Sequence, residues 1–566
     1  MLIQKRSLSS FWFRVLFVAL SLGWLSPNHY APWSAFHADA WVSAVLICAT
    51  CTLLVVFRTA DAIPVSSLAC TAAAVMLIPL LQLVAGMHAF SGTAWMATAY
   101  LGGFLLALLV GAMWEKYSPD ELVDGLFLAI VLASVVSVGL QLHQWLFLDR
   151  LFVWDMGNLS GRPYANFGQP NMLATFLLWG LLGLGWAVVR GRLSALVAVF
   201  VALYLLFGVA LTGSRTGWIS VTLIVCAAWY WRALSPGRLT PLVITGLAIY
   251  FAACVMLKGP VLELLNLEGL EDLIRVEGET RQTIWKILFK AALEKPFFGY
   301  GWNQIALAHT AVAADQPAMY VLLTQAHNVF LDLLLWCGIP LGLLLSGVLL
   351  GWLYKYFRTV KTVGDVLLLL LILVVGVHAL LEFPLSYAYM LLPAGLIMGV
   401  LEQRLGKPAL TISTRWPIWG LVASLSLLLG LITRDYLRVE ASYLAFRFEQ
   451  AQLRAPNSAG PPDVLLLDQL QAMITYFRFE PHKNMSVAEL NWMRQVAALY
   501  PSGGIVHKLA AALAWNGQPD ESRLWLQRLC KMVRPDECES VRRAWAFQSQ
   551  TDPDIRAIPW PDLKQK

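Results

Sequence analysis

The sequence predicts an all-α, polytopic membrane protein of about thirteen transmembrane helices, followed by a helical C-terminal domain outside the bilayer. Hydrophobic residues make up 58 % of the 566 residues and charged residues only 13 %, whereas soluble domains are nearer half apolar and a quarter charged. Apolar runs near twenty residues recur along the first three quarters of the chain. A helix of that length crosses the roughly 30 Å of hydrocarbon in a bilayer.

The apolar runs place the spans in order along the chain. The first, Phe11 to Leu25, is not followed by a small-residue cleavage site, so we expect a retained helix and not a signal peptide. The predicted spans are 11–27, 41–57, 64–85, 93–113, 121–146, 171–189, 193–212, 217–231, 240–257, 329–353, 363–381, 387–402 and 416–433. The predicted domains are N-terminal helices (1–147), a membrane core with external loops 148–171 and 258–328 (148–402), a last transmembrane helix (403–433) and a helical domain (434–566).

Charges in the short loops predict the orientation. Loops 28–40, 86–92 and 382–386 carry no Lys or Arg. The loops on the other side carry Lys5, Arg6, Arg58, Lys116, Arg190, Arg192, Arg232, Arg238, Lys355, Arg358, Lys361, Arg404, Lys407 and Arg415. Because basic loops remain in the cytoplasm, the N-terminus is expected there and the C-terminal domain in the periplasm of an inner-membrane protein. The net charge of +6 needs no nucleic-acid partner.

The eight cysteines divide by location. Six lie in apolar spans and are expected to act as small apolar side chains. Cys530 and Cys538 lie in the predicted periplasmic tail, where a disulfide could persist, although sequence alone leaves the pairing open. No His/Cys cluster has the spacing of a metal site, so neither a metal nor another cofactor is predicted.

Two regions outside the spans show helical periodicity. Residues 280–294 place Ile284, Leu288, Ala291 and Ala292 on one face, and this helix is expected on or near the outer leaflet. Further helices are predicted at about 434–454, 462–478, 486–499, 503–515, 519–532 and 537–548. Residues 504–533 predict a helical hairpin similar to a tetratricopeptide unit, with a small non-repeating helical domain as the alternative.

Candidate site residues are polar groups expected at the external face, because polar side chains are costly at membrane depth. Arg162 offers a planar fork of donors for phosphate, and Gln169 and Asn171 offer amides for sugar hydroxyls or phosphate oxygens. The alternative for this segment is a simple helix-entry loop. Arg215 lies in a short Gly-bracketed external turn, which indicates an anion ligand or a snorkelling anchor to lipid phosphate.

Three further candidate positions, Arg281, His327 and Asn328, lie at or after the second external loop's helix. Arg281 opens the helix at 280–294, whose Lys286 and Lys290 are equally well explained as a solvated face. His327 and Asn328 stand where the second external loop enters the tenth span, and a histidine there can accept a proton near neutral pH or serve only as a hydrogen-bonded boundary residue.

The exit of the eleventh span adds Glu382 and Tyr387 at the same level. Arginines, a histidine and amides on one face suit an anionic leaving group beside an acceptor that loses a proton. A lipid-linked sugar diphosphate has this chemistry, and its reacting carbon stays at headgroup depth.

Five segments resemble bacterial protein O-oligosaccharyltransferases of the PglL type, within the group of O-antigen ligases and Wzy-type polymerases. They are GRPYANFGQPNMLA (161–174), LTGSRTGW (211–218), TRQTIWKILFKAALEKPFFGYGWN (280–303), QAHNVFLDLLLWCGIPLGLL (325–344) and HALLEFPLSYAYMLLP (378–393). The resemblance covers about residues 150–400 and implies a GT-C-like membrane core. The helical tail is also similar to that family's C-terminal part.

The resemblance implies transfer of a glycan in one block from undecaprenyl diphosphate to Ser or Thr hydroxyls of periplasmic proteins such as pilins. By motif, His327 is the family histidine, Gln169 the loop glutamine, and Arg162, Arg215 and Arg281 the matching arginines. Phe383 stands where related sequences often have Tyr, so Tyr387 or Tyr389 would have to supply any phenol.

Two other functions fit the sequence less well. Ligation to lipid A-core or chain polymerisation would use the same chemistry on another acceptor. A lipid-glycan transporter or flippase needs polar groups along a path through the midplane, often in repeated halves. Here the polar groups gather at one face and no repeat is visible.

Overall fold

The computed structural model describes residues 2–57, 62–146, 148, 154–156, 162–234, 240–264, 277–453 and 460–561. The regular secondary structure within them is helical, apart from one antiparallel pair of short strands, β1 (Ile63–Val65) and β2 (Leu410–Ile412). The predicted all-α, polytopic membrane fold is confirmed. Arg58, Gly161 and Arg238, which the sequence analysis named, lie outside the described residues.

The helices follow the predicted spans closely. The first nine are α1 (Leu2–Leu25), α2 (Phe36–Val56), α3 (Ser67–Val84), α4 (Ser91–Tyr117), α5 (Glu121–Trp145), α6 (Pro170–Val189), α7 (Ala195–Leu211), α8 (Arg215–Tyr230) and α9 (Pro241–Leu264). The next seven are α10 (Glu277–Glu294), α11 (Ile305–Val312), α12 (Val329–Cys337), α13 (Ile339–Thr359), α14 (Val363–Ala379), α15 (Ala388–Leu405) and α16 (Trp416–Gln450). The tail holds α17 (Asp468–Arg478), α18 (Val487–Leu499), α19 (Gly503–Trp515), α20 (Pro519–Met532), α21 (Pro535–Thr551) and α22 (Pro553–Arg556).

Eight of the described helices are long and apolar enough to cross a membrane: α2, α3, α4, α5, α6, α9, α13 and α16. Shorter apolar helical stretches lie at Val15–Leu25, Ala195–Leu211, Ile305–Asp315 and Val363–Ala379. Each of the thirteen predicted spans consists mostly of helix in the structure, although residues 64 and 65 of the third belong to β1. The number of crossings stays a prediction.

The chain forms two compact units. One comprises Met1–Val75, Ala99–Val276 and Leu349–Leu429, and the other Met76–Thr98, Glu277–Val348 and Gly430–Lys566. In the first unit, α6 is enclosed by α5, α7, α8 and α14. Met172 to Trp179 are all at most 1 % exposed, as expected for a helix that is apolar on every side. Because Pro170 opens α6, this buried helix fixes the end of the loop that carries Arg162 and Gln169.

In the second unit, α10 packs its apolar face against protein. Ile284, Leu288, Ala291 and Ala292 are at most 4 % exposed and form a core with residues of α11 and α12. The predicted face is therefore correct, but it is covered by protein and is not available to the outer leaflet. The hydropathy pattern alone could not distinguish packing against lipid from packing against protein, because both environments are apolar.

The tenth predicted span is broken into two helices. Gly338, with φ +81°, separates α12 from α13, and a Cβ at this glycine would stand 2.2 Å from the Phe297 carbonyl oxygen. Ile339 N donates to Pro296 O at 2.6 Å. The continuous apolar run concealed this break, although Gly338 followed by Pro340 is a stop-and-start signal.

The tail is helical as predicted. The boundary expected at residue 434 falls inside α16, which runs unbroken for 35 residues, since no Gly or Pro interrupts it there. α19 and α20 pack as a hairpin. Cys530 and Cys538 form a disulfide with Cα atoms 4.9 Å apart.

Candidate functional site

The loop before α6 is held by amides of α5. The Gln144 side chain accepts from the backbone of Tyr164 (3.0 Å) and Ala165 (2.8 Å), and donates to Ala165 O at 2.8 Å. Asn166 Nδ2 donates to Leu25 O at 2.9 Å. A loop whose backbone groups are satisfied by buried side chains has a fixed conformation, so its functional side chains are positioned in advance.

A chain of hydrogen bonds joins three sequence motifs in the first unit. Arg162 Nε donates to Thr212 O at 2.9 Å, and its Nη2 lies 3.5 Å from Asn171 Oδ1. Asn171 Nδ2 donates to Glu382 Oε1 at 3.2 Å. Asn171 and Glu382 are buried. The predicted Arg162, Asn171 and Glu382 therefore lie together, beside the turn that precedes α8.

That turn carries Arg215 at the surface of the protein. Ser214 caps α8 by accepting from Gly217 N at 3.1 Å, which fixes the first turn of the helix. Arg215 is exposed, and its side chain makes no hydrogen bond or ion pair with any described residue. Its guanidinium is consequently available to an anion at the start of α8, where the helix dipole also favours negative charge.

A lysine approaches the same turn. Gly213 has φ +58°, and a Cβ built on it would lie 3.6 Å from Arg162 Nε and 3.9 Å from Lys258 Nζ. Lys258 belongs to the last turns of α9. No sequence motif indicates it.

Gln169 carries an unsatisfied acceptor. Gln169 is the N-cap residue of α6, but its side chain makes no capping hydrogen bond. Gln169 Oε1 is buried and has no hydrogen-bond partner among the described residues. Since buried polar atoms are nearly always paired, this oxygen is a natural partner for a donor on a bound molecule.

The segment after α14 presents a row of aromatic rings. Phe383 and Tyr387 have ring centroids 6.1 Å apart, and Tyr387 and Tyr389 stack at 5.2 Å. Behind the row, the buried Asp39 accepts from Tyr100 OH at 2.6 Å and from Tyr389 N at 3.3 Å. Tyr389 is 2 % exposed whereas Tyr387 is half-buried. Of the two phenols, Tyr387 is therefore the one that a substrate can reach.

The second unit carries the histidine motif at the start of α12. His327 is half-exposed and has φ +54°, a left-handed conformation that few non-glycine residues adopt. Asn328 Oδ1 caps α12 by accepting from Phe330 N and Leu331 N. Asp332 Oδ1 accepts from Ala326 N at 2.9 Å. The Asn328 cap on one side of His327 and the hydrogen bond of Ala326 N on the other hold the backbone in this strained form.

α10 lies beside the histidine segment. Trp285 Nε1 donates to Ala326 O at 3.1 Å, so the first turns of α10, including the half-buried Arg281, flank this loop. Lys286 and Lys290 are exposed, and Lys290 Nζ donates to Gln316 Oε1 at 2.9 Å. The two lysines match the solvated-face alternative.

The structure thus assembles Arg162, Asn171, Glu382 and the Arg215 turn within one unit, with Gln169 and Tyr387 in the adjoining loops. Arg281, His327 and Asn328 belong to the other unit.

Sequence reasoning missed several polar side chains that shape the site: Asp39, Tyr100, Gln144 and Lys258. Asp39 and Gln144 lie inside apolar helices, and that misplaced polarity was the available signal. Among the described residues, no three His, Cys, Asp or Glu side chains are grouped as a metal site.

Three family models match successive parts of the chain. Residues 163–186 match the model described as protein glycosylation ligase, and residues 200–346 match the O-antigen ligase model. Residues 366–545 match the C-terminal part of the virulence factor membrane-bound polymerase. These matches include the loop from residue 163 onward, the turn, the histidine motif and the Glu382 segment.

Two proteins of Acinetobacter baylyi are similar to the chain. The first is a general O-oligosaccharyltransferase, 29 % identical over 541 residues that cover 92 % of each chain. The second is a ComP-specific O-oligosaccharyltransferase, 28 % identical over 332 residues, which are 58 % of this chain and 60 % of the relative. The predicted resemblance is confirmed.

Proposed function

We propose that this chain, a membrane-bound oligosaccharyltransferase similar to a general O-oligosaccharyltransferase along nearly its whole length, transfers a glycan in one block from a lipid-linked donor to a protein. The specific form of the proposal has undecaprenyl diphosphate as the carrier and Ser or Thr hydroxyls of periplasmic, pilin-like proteins as acceptors. The single observation that carries it is the hydrogen-bonded group of Arg162, Asn171 and Glu382 beside the Arg215 turn. It offers forked cationic donors suited to a diphosphate.

The reaction is a substitution at the first carbon of the glycan. The acceptor hydroxyl oxygen forms a bond to that carbon while the bond from the carbon to the diphosphate oxygen breaks. His327 takes the hydroxyl proton, and Arg162, Arg215 and Arg281 neutralise the diphosphate as it leaves. Gln169 and Asn171 orient the donor, and the aromatic row with Tyr387 offers faces for sugar rings. No step in this scheme uses a metal ion.

The proposed location is the inner membrane, with the N-terminus in the cytoplasm and the tail in the periplasm. The loop charges support this orientation. The Cys530–Cys538 disulfide is consistent with it, because disulfides persist in the periplasm and are rare in the cytoplasm.

The test is reconstituted transfer with purified full-length protein, a lipid-linked glycan and candidate acceptor proteins. Intact-mass measurement should show the acceptor heavier by one whole glycan. Arg215→Lys keeps the charge and loses the planar fork, so its rate should fall well below wild type. Lys286→Ala, on the solvated face of α10, is the matched control. EDTA is expected to leave the rate unchanged. If no acceptor protein gains the mass of the glycan, although the lipid-linked donor is intact and usable, the proposal is contradicted.

A second candidate is ligation or polymerisation of O-antigen on a lipid acceptor, which the matches over residues 200–346 and 366–545 favour. It would use the same donor chemistry. Offering lipid A-core and a second lipid-linked glycan as acceptors in the same assay separates the candidates. Product that partitions with lipid, and no labelled protein, would favour the second one.

A further inference from the structure

Two cations converge on one point beside the turn before α8. Arg162 Nε and Lys258 Nζ lie 3.6 and 3.9 Å from the position of a Cβ on Gly213. Arg162 is oriented by its hydrogen bond to Thr212 O, and Arg215 follows Gly213 by two residues. Two cationic groups thus lie at a turn whose next residue but one, Arg215, is also cationic and exposed, and such a concentration of positive charge suits a doubly anionic group.

The position of Lys258 on its helix argues against a simple lipid anchor. Met256 and Leu257 are 78 % and 57 % exposed, as expected for side chains that face acyl chains. Lys258 is half-buried and turns its ammonium to Gly213. A snorkelling lysine would direct its head away from the protein toward the headgroups.

The two kinds of cation also differ in what they offer. The arginine fork binds oxygens in a plane, whereas the lysine ammonium is a compact point charge with three donors on a flexible stem. A diphosphate has two phosphoryl groups whose oxygens do not share a plane, so a fork and a point charge complement each other. Lys258 lies near the C-terminal end of a candidate span, Pro241–Val261. The loop charges predict that this end is the outer one, where the diphosphate of a membrane-embedded carrier would reside.

We infer that Lys258 is a donor-binding residue that contacts the diphosphate of the lipid carrier together with Arg162 and Arg215. This inference rests on the proposed function for the identity of the ligand. It adds to that function a third cation in the same unit, one that no sequence motif indicated.

The experiment measures binding of undecaprenyl diphosphate to full-length protein in phosphatidylcholine nanodiscs, with no acceptor present. Lys258→Met should weaken binding by about 10–100-fold, the usual effect of losing a hydrogen bond to a charged group. Lys258→Arg keeps the charge and should bind within a few-fold of wild type. Lys290→Met, on an exposed lysine of α10, is the matched control and should bind like wild type.

Two results would overturn the inference. One is a Lys258→Met protein that binds the diphosphate as tightly as Lys290→Met. The other is a Lys258 dependence that disappears when phosphatidylglycerol replaces part of the phosphatidylcholine, which would assign the lysine to ordinary headgroups. Thermal unfolding of each variant excludes misfolding as the cause, and Lys258→Arg serves as the rescue.

The results that would contradict the proposed transfer reaction differ from those that would contradict the role of Lys258. If wild-type protein transfers glycan but Lys258→Met binds the carrier normally, only the role of Lys258 is wrong. If wild-type protein transfers nothing to protein or lipid acceptors, the proposed reaction is wrong, and the binding comparison still decides whether Lys258 contacts a lipid diphosphate.

Discussion

At the scale of single residues, His327 combines exposure with a strained backbone. Its φ of +54° is maintained by the cap that Asn328 provides and by the bond from Ala326 N to Asp332. Backbone strain of this kind costs of order 1–3 kcal/mol and is concentrated at functional sites. The conformation is therefore an independent reason to test the histidine that the motif selected.

We expect His327→Ala to lower the transfer rate by about 10²–10⁴-fold, the usual contribution of a positioned general base, while the protein remains folded and inserted. Initial rates with saturating donor and acceptor measure this. His482, an exposed histidine of the tail, provides the control variant His482→Ala, which should be fully active.

A His327→Ala protein that is expressed normally and still glycosylates at close to the wild-type rate would contradict this role. The base would then have to be sought around Glu382 and Tyr387.

Candidate residues could be chosen where polarity stood out in the sequence. Arg162 and Asn171 were chosen from one loop motif and Glu382 from a motif 211 residues beyond Asn171, and the structure joins the three by hydrogen bonds. Lys258 and Asp39 were not chosen, because their position beside the other polar groups depends on which helices are neighbours. One sequence without its contacts does not contain that information. The assigned roles of all site residues stay predictions.

At the scale of elements, the break between α12 and α13 depends on Gly338. Gly338→Ala would place a Cβ 2.2 Å from the Phe297 carbonyl oxygen on a backbone with φ +81°. We expect a loss of at least about 1–3 kcal/mol of stability from the strained conformation alone, and a lower melting temperature in detergent.

Gly347, in α13, is the matched control, since a Cβ there meets no heavy atom within 4 Å. Gly347→Ala should be neutral or slightly stabilising, because alanine favours helix by about 1 kcal/mol over glycine. Equal melting temperatures for the two alanine variants would show that the break tolerates a side chain.

Helix positions were predictable because their signals are local. The tail helices α18 to α20 begin and end within a residue or two of the predicted limits, and a Ser486–Glu489 capping box opens α18. The environment of α10 was not predictable in this way. An amphipathic pattern indicates that one face is covered, but it does not indicate whether lipid or protein covers that face.

At the scale of the whole molecule, the orientation in the membrane is the first matter to test. Alkaline phosphatase fused after residue 440 should be active, because the enzyme works only outside the cytoplasm and the loop charges place this point there. A fusion after Lys407, in a loop predicted to be cytoplasmic, should be inactive. The reverse pattern of activities would invert the topology and remove the proposed site from the periplasmic face.

Acid should destabilise the second unit through two buried histidines. Burial lowers the pKa of His88 and of His309 to about 4, from 6.5. A lowered folded-state pKa means that the unfolded chain takes up protons first. Stability is therefore complete above about pH 6.5 and is lost as the pH falls toward 4.

Melting temperatures of the purified protein between pH 7.5 and 4.5 measure this loss. The double variant His88→Gln/His309→Gln should show a shallower decline than wild type, while His482→Ala should show the wild-type slope. Identical slopes for the double variant and wild type would mean that these imidazoles do not control the acid response.

The overall architecture was predictable from composition, since long apolar runs permit few folds other than a helical membrane protein. The grouping of residues 76–98 and 277–348 with the tail was not. It depends on tertiary contacts such as the hydrogen bonds from Ser91 and Gly92 to Asp468, which no periodicity reveals.

The disulfide in the tail has a practical consequence for handling the protein. Six other described cysteines are unpaired, and a chemist would ordinarily add a reducing agent to keep such thiols from cross-linking during purification. That same reagent would attack the bond between Cys530 and Cys538. Blocking the six thiols with an alkylating reagent before detergent extraction protects them without a reductant. The Cys530–Cys538 disulfide then remains intact in the purified protein.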